Sequence, residues 1–219
     1  MTNLYSRKAI DINRVLLVRY PESMSLRKLA KEAHVSLGQA FKVSKALINE
    51  HILIRESDNY KLKLMDPYIL LKRWATVNNF LANNKFIEYY TDESDISSFI
   101  AKFKGIRDTE YAFTGLAGAL LVAPFVRPTN VHVYVKTKED ADKIAKYLHL
   151  LPVEESGNVK FSIPQSEGVF YGTRDVEGVN VVSDIQLYVD LLNYPARGED
   201  AATEIYKAID KNWKCLRVD

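Results

Sequence analysis

The chain has 219 residues, 47 % of them apolar and 26 % charged, with 9 glycines and 7 prolines. That supplies a sizeable core for one large domain or two modest ones and excludes a disordered or low-complexity polymer. The net charge of +2 is unevenly spread: Met1 to Arg73 holds 14 Lys/Arg against 7 Asp/Glu (+7), and the remainder 16 against 21 (−5), so only the front part suits a polyanion.

The longest apolar run, Gly115 to Val126, is about half of what a bilayer crossing needs, and no basic stretch with a secretory core opens the chain. A cytoplasmic protein without membrane contact is expected. The one cysteine, Cys215, rules out an internal disulfide and is expected to pack as a small apolar group.

In chain order, Ile12, Val15, Leu16 and Tyr20 recur at helical spacing, and Pro21 ends that helix. Ser25 is placed to cap a second helix with an apolar stripe of Leu26, Leu29 and Ala30. After His34-Val35, Ser36 is placed to cap a third helix running to about Glu50. Two short helices joined by a tight turn read as a helix-turn-helix.

At 100° per residue, Ala40, Val43, Ser44 and Leu47 of the third helix share the packing face. Gly38, Lys42, Lys45 and Asn49 then point away, with Gln39 and Phe41 at the borders. Gly38 permits close approach to a groove, Gln39 and Asn49 suit base edges, and the lysines suit phosphates. Phe41 is large and apolar where a small polar residue is expected. The same face also suits plain solvation.

The next segment favours DNA. Ile52-Leu53-Ile54 begins a β-rich run, Ser57-Asp58-Asn59 signals a turn, and Tyr60, Leu62 and Leu64 alternate with Lys61 and Lys63. A hairpin directly after the third helix, with Arg55, Lys61 and Lys63 on its polar side, gives the order of a winged helix. Double-stranded DNA is the expected partner through Ser36, Gly38, Gln39, Lys42, Lys45, Asn49, Arg55, Lys61 and Lys63. Asp66-Pro67 starts another helix, Tyr68 to about Asn78, carrying Ile69, Leu70, Trp74 and Val77. It is expected to link two domains or to form the seam of a homodimer. The expected division is 1–66 as a winged helix-turn-helix, 67–84 as a linker helix, and 85–219 as an α/β domain.

From Lys85 onward strands and helices alternate. Strands are expected over Phe86–Tyr90, Tyr111–Thr114, Val131–Val135, Val159–Ile163, Val169–Thr173 and Val179–Val182, the last two joined through Glu177-Gly178. Helices are expected over Ile96–Phe103, Leu116–Ala123, Glu139–Leu148, about Asp184–Leu192 and about Glu199–Lys211. The fold class is therefore α+β, the winged helix being followed by a mixed sheet with helices packed on it.

Phe113-Thr114-Gly115 ends a strand and opens a helix, and Asn130-Val131-His132-Val133-Tyr134-Val135 forms the next strand. This resembles the start of the nucleotidyltransferase fold, in which a Gly-Ser or Gly-Gly pair holds phosphates and two carboxylates alternate on the next strand to hold metal. The matching positions here are Asn130, His132 and Tyr134, and no register supplies two carboxylates. Either Gly115 merely makes a tight turn or the domain is a degenerate, inactive relative. The four histidines, His34, His51, His132 and His149, lack metal-ligand spacing and are expected in structural or solvated roles. No metal, catalytic residue or cofactor is expected.

The stretch from Arg174 through Gly178-Val179-Asn180-Val181-Val182-Ser183-Asp184, Gln186, Asp190 and Tyr194-Pro195-Ala196-Arg197-Gly198 to Ala202 is similar to the signature of AbiEi-type transcriptional regulators, the antitoxins of type IV toxin-antitoxin systems. Val35-Ser36-Leu37-Gly38-Gln39-Ala40 also resembles that family. The resemblance implies a repressor of its own promoter that opposes a nucleotidyltransferase-like toxin. Physically, Ser183 or Asp184 caps a helix in which Gln186 and Asp190, and Leu187 and Leu191, share faces. Arg197 sits in the next turn, within expected reach of Asp184 or Asp190. Arg174, Asp184, Gln186, Asp190 and Arg197 are candidates for a partner surface or for a stapled turn. A nucleotidyltransferase-like enzyme targeted by the winged helix and a protein-protein adaptor stay as alternatives.

Overall fold

The computed structural model describes residues 2–125 and 127–216, so Val126, the last residue of the longest apolar run, lies outside them, as do both ends of the expected domain division. The chain forms two compact units. One comprises the residues up to Asn78 together with those from Lys207 onward; the other is Asn79–Tyr206. Among the described residues no helix is long and apolar enough to cross a membrane.

The first unit opens with α1 (Arg7–Val18), α2 (Leu26–Glu32) and α3 (Leu37–Asn49), followed by β1 (Leu53–Arg55) and β2 (Leu62–Leu64). Their ends are set locally. The Ser25 hydroxyl accepts from the Lys28 amide at 3.2 Å, and Ser36 accepts from Gln39 at 3.2 Å, each satisfying an amide that the first turn leaves free. The helices stop at residues in the left-handed region: His34 (φ 50°) follows α2 and His51 (φ 58°) follows α3. Val35 N then donates to Ala30 O, and Ile52 N to Leu47 O, both at 3.0 Å, closing Schellman-type ends normally made by glycine.

β1 and β2 pair antiparallel, Leu53 opposite Leu64 and Arg55 opposite Leu62. Met24, between α1 and α2, bridges Leu62 through bonds of 3.0 and 2.8 Å, adding a third element to this small sheet. α4 (Pro67–Val77) begins with Asp66 accepting from Ile69 N at 2.9 Å. It packs inside the unit, with Leu70, Leu71 and Trp74 buried and the Arg14 guanidinium 5.1 Å from the Trp74 ring centre. Trp74 is thus a core residue rather than part of an exposed seam, while Ile69 and Val77 face outward.

The second unit holds α5 (Phe80–Asn83), β3 (Phe86–Tyr90), α6 (Ile96–Ala101), β4 (Tyr111–Thr114), α7 (Gly115–Val122), β5 (Val131–Val135), α8 (Lys138–Tyr147), β6 (Leu151–Pro152), β7 (Val159–Ser162), β8 (Arg174–Val176), β9 (Val179–Val181) and α9 (Asp184–Leu192). α10 (Gly198–Cys215) starts in this unit and ends in the first. One seven-stranded mixed sheet runs in the order β6-β3-β7-β5-β4-β9-β8. β5 is buried along its whole length, as a strand covered on both faces must be.

Several expectations are corrected here. Val169–Thr173 is not a strand: Glu167–Phe170 makes a 3-10 turn, and the hairpin strand is β8, three residues long. The apolar Val169 and Phe170 are buried from that turn. β8 and β9 are joined by Glu177 (φ 53°) and Gly178 (φ 89°), the two left-handed positions of a tight hairpin. Cys215 is exposed rather than packed.

Candidate nucleic-acid interface

α3 sorts its residues as its angular pattern requires. Ala40, Val43, Ser44 and Leu47 are buried, and Gly38, Lys42, Lys45 and Asn49 are exposed, with Gln39 half-buried. A Cβ built on Gly38 would meet nothing within 4 Å, so the start of the outward face is open. Ser36 is exposed, but its hydroxyl is already used in capping.

The hairpin presents its cations differently from expectation. Directly opposed residues of an antiparallel pair lie on one face. Arg55, opposite Leu62, is therefore on the face of Leu53 and Leu64, whereas Lys63, opposite Ile54, is on the other. Lys61 alternates with Leu62 and shares the face of Lys63. Arg55, Lys61 and Lys63 are all exposed, but they do not make a single row.

The ion pairs of this unit divide its cations into two groups. Arg14 is paired with Asp11 at 2.6 Å, Arg19 with Glu32 at 3.0 Å, Lys28 with Glu22, and Arg73 with Glu50. Lys42, Lys45, Arg55, Lys61 and Lys63 have no carboxylate partner among the described residues. Five cations without such a partner thus sit on α3 and the hairpin; Lys8, Arg27, Lys31 and Lys72 on the other helices are likewise exposed.

Beside the outward face of α3 runs a groove of about 840 Å³, lined by Tyr5, Phe41, Lys42, Lys45, Asn49 and Arg73 among others. Its far wall is the N-terminal segment, held by Asn13 Nδ2 donating to the Leu4 carbonyl at 2.9 Å. Burial pushes the Tyr5 hydroxyl pKa up, and the nearby Arg73 guanidinium opposes that. Tyr5 and Arg73 were missed in the sequence, because neither lies on α3 or the hairpin, the elements from which the interface was read.

In the second unit, the residues considered for a partner surface separate. Asp190 is only 2 % exposed. Its Oδ2 accepts from Thr114 Oγ1 at 2.7 Å and Tyr134 OH at 3.2 Å, and its Oδ1 from Gln186 Nε2 at 2.8 Å. This is a buried carboxylate supplied with donors rather than a surface group. Arg174 takes Asp184 at 2.5 Å; burial raises the Asp184 pKa and Arg174 opposes the rise. Arg197 pairs with neither Asp184 nor Asp190. It meets Asp200 at 3.3 Å and stacks 5.0 Å from the Phe125 ring centre.

The strand positions compared with metal-binding carboxylates are closed in. His132 lies on β5 next to β4, and its Nε2 is 2.9 Å from Tyr194 OH. The rings of Phe80, Phe86 and Tyr194 lie 5.3, 5.3 and 5.5 Å from the imidazole. Burial, aided by the Lys160 charge and opposed by Glu88, pushes the His132 pKa down to about 4, so the ring is neutral near pH 7. Gly115 has φ 58°, and a Cβ there would come within 3.3 Å of His132 Cδ2, so this turn demands glycine for conformation alone.

The profile of a family described as transcriptional regulator, AbiEi antitoxin, type IV toxin-antitoxin system matches residues 63–210. The match runs from β2 into α10 and takes in the Arg174-to-Ala202 stretch, while α1, α2, α3 and β1 precede it. Comparison with curated proteins and with solved structures gives no match. With a match over more than half of its length, the chain belongs to the AbiEi antitoxin family of transcriptional regulators.

Proposed function

We propose that this chain binds double-stranded DNA in a sequence-dependent manner through a winged helix-turn-helix, with α3 as the reading helix and the β1–β2 hairpin as the wing. It acts as a cytoplasmic repressor of its own promoter and opposes a nucleotidyltransferase-like toxin. The observation that carries the reading is that Lys42, Lys45, Arg55, Lys61 and Lys63, none with a carboxylate partner among the described residues, are all exposed on α3 and the hairpin, the two elements that a winged helix presents to a duplex. Phosphates are the partner that such a set fits. Family membership supports the regulatory role.

The second unit serves this function without chemistry of its own. The order β4, α7, β5, with β5 antiparallel to β4 and parallel to β7, supports a degenerate nucleotidyltransferase-like core. The polar groups of β5 are spent on Tyr194 and Asp190, and aromatic rings occupy the space around His132. Arg174, Asp184 and Arg197 are left for a toxin or a second copy of the chain. Labelled-nucleotide transfer with Mg²⁺ or Mn²⁺ should be absent; transfer that copurifies with the protein and is lost in His132→Ala would contradict this.

The deciding experiment is a salt series of binding titrations on the duplex upstream of the protein's own coding sequence. Lys42→Ala and Lys45→Ala should each lower the slope of log affinity against log salt by about one. Arg19→Ala, whose cation is held by Glu32, should leave that slope unchanged. Equal slopes in all four proteins would remove α3 from the interface.

A further inference from the structure

We infer that Phe41 reads thymine C5-methyl groups in the major groove, so that the duplexes this protein prefers carry thymine beside the α3 flank. The inference rests on the DNA-binding reading above and adds what that reading leaves out, an apolar side chain on a face otherwise built for phosphates and polar base edges.

Phe41 is 48 % exposed, and so is Leu37, one helical turn before it. Residues four apart lie over one another on a helix, so the two make a short apolar strip along α3. Lys45 is a further turn on, in the same row, and Lys42 is Phe41's neighbour; neither lysine has a carboxylate partner. Gly38, beside Leu37, leaves open space. An exposed phenyl ring between unpaired ammonium groups is poorly placed for an apolar protein partner, which would have to bury those charges. It is well placed for a polyanion that carries apolar groups. In the major groove the base edges offer one such group, the thymine methyl. Lysines on phosphates would fix the register, and the ring would then read the methyl.

The test uses the full chain and two randomised duplex pools, one made with thymine and one with uracil in its place. Uracil keeps the Watson–Crick and hydrogen-bonding edges and removes only the methyl. The expected result is a motif containing thymine in the first pool, with each decisive thymine-to-uracil change weakening binding about fourfold, the effect of burying one methyl-sized group. Phe41→Ala should bind thymine and uracil versions of that motif equally, and Phe41→Leu should retain part of the preference. The inference is overturned if wild type treats the two versions alike, or if Phe41→Ala keeps the preference. It is also overturned if Phe41→Ala changes only the sedimentation mass of the free protein, which would assign the strip to a second copy. A wild-type chain that enriches no duplex from either pool overturns the DNA reading itself. That failure is distinct from one in which DNA is bound without regard to the methyl.

Discussion

His132 is 1 % exposed, neutral, and bonded to Tyr194 through one nitrogen. Its pKa of about 4 in the folded chain lies below the ordinary 6.5, so on acidification the unfolded chain takes up the proton first. The stability it supports is complete above pH 6.5, falls as pH drops from 6.5 towards 4, and levels off below. The loss should reach up to about 3 kcal/mol over that window, at roughly 1.36 kcal/mol for each pH unit between the two pKa values. Urea unfolding of wild type and His132→Phe at several pH values checks this. The variant should show a flatter acid limb, whatever its stability at pH 7; an unchanged limb would mean that the imidazole is not the group being protonated.

The other three histidines act through backbone conformation. His34, His51 and His149 follow α2, α3 and α8 with φ of 50°, 58° and 56°. Leu150 N donates to Ala145 O at 2.8 Å in the same closing pattern as at the other two. Glycine is the residue that adopts this region without steric cost. Replacing His149 by glycine should therefore stabilise the chain by a few tenths to about 1 kcal/mol in chemical denaturation, and replacing it by valine should destabilise it.

Which elements could be read from the chain follows from the kind of signal each carries. α3 was legible in both position and facing, because its cap, its apolar spacing and its charges are all local. The β8 strand was displaced in the reading because the short apolar run Val169–Phe170 is compatible with either a strand or a tight turn. β6 was missed because it is two residues long and includes Pro152. Gln186 and Asp190 were correctly placed on one face of α9, but helical spacing cannot say whether that face meets water or Thr114 and Tyr134. The same limit applies to Arg197: proximity in sequence suggested Asp184, yet Arg174, on a strand of the neighbouring hairpin, reaches it.

At the scale of the whole molecule, the last turns of α10 belong to the first unit. Ile209 and Trp213 are buried. The Trp213 ring lies 5.5 Å from that of Tyr20 and 5.1 Å from that of Tyr68, and Tyr68 OH donates to Asp210 at 2.8 Å. A fragment ending near Met65 would lack this cover as well as Trp74. Trp213→Ala should cost about 3–5 kcal/mol in the stability of the first unit, the usual range for emptying such a site. It should weaken duplex binding only in proportion to the fraction unfolded. Calorimetry with binding at low temperature separates the two effects. Weak binding by fully folded Trp213→Ala would instead give α10 a direct part in the interface.

This arrangement bears on the order in which the protein becomes competent. A ribosome releases α1 to α4, then all of Asn79–Tyr206, and only afterwards Ile209 and Trp213. A nascent chain therefore carries every side chain of α3 and the hairpin long before the unit that holds them is closed. A premature stop within the second unit would leave every one of those side chains encoded yet yield a product with an open core, prone to proteolysis. On the DNA-binding reading proposed above, incomplete products would lack the closed unit that presents α3 and the hairpin, and would compete poorly with finished chains for a duplex.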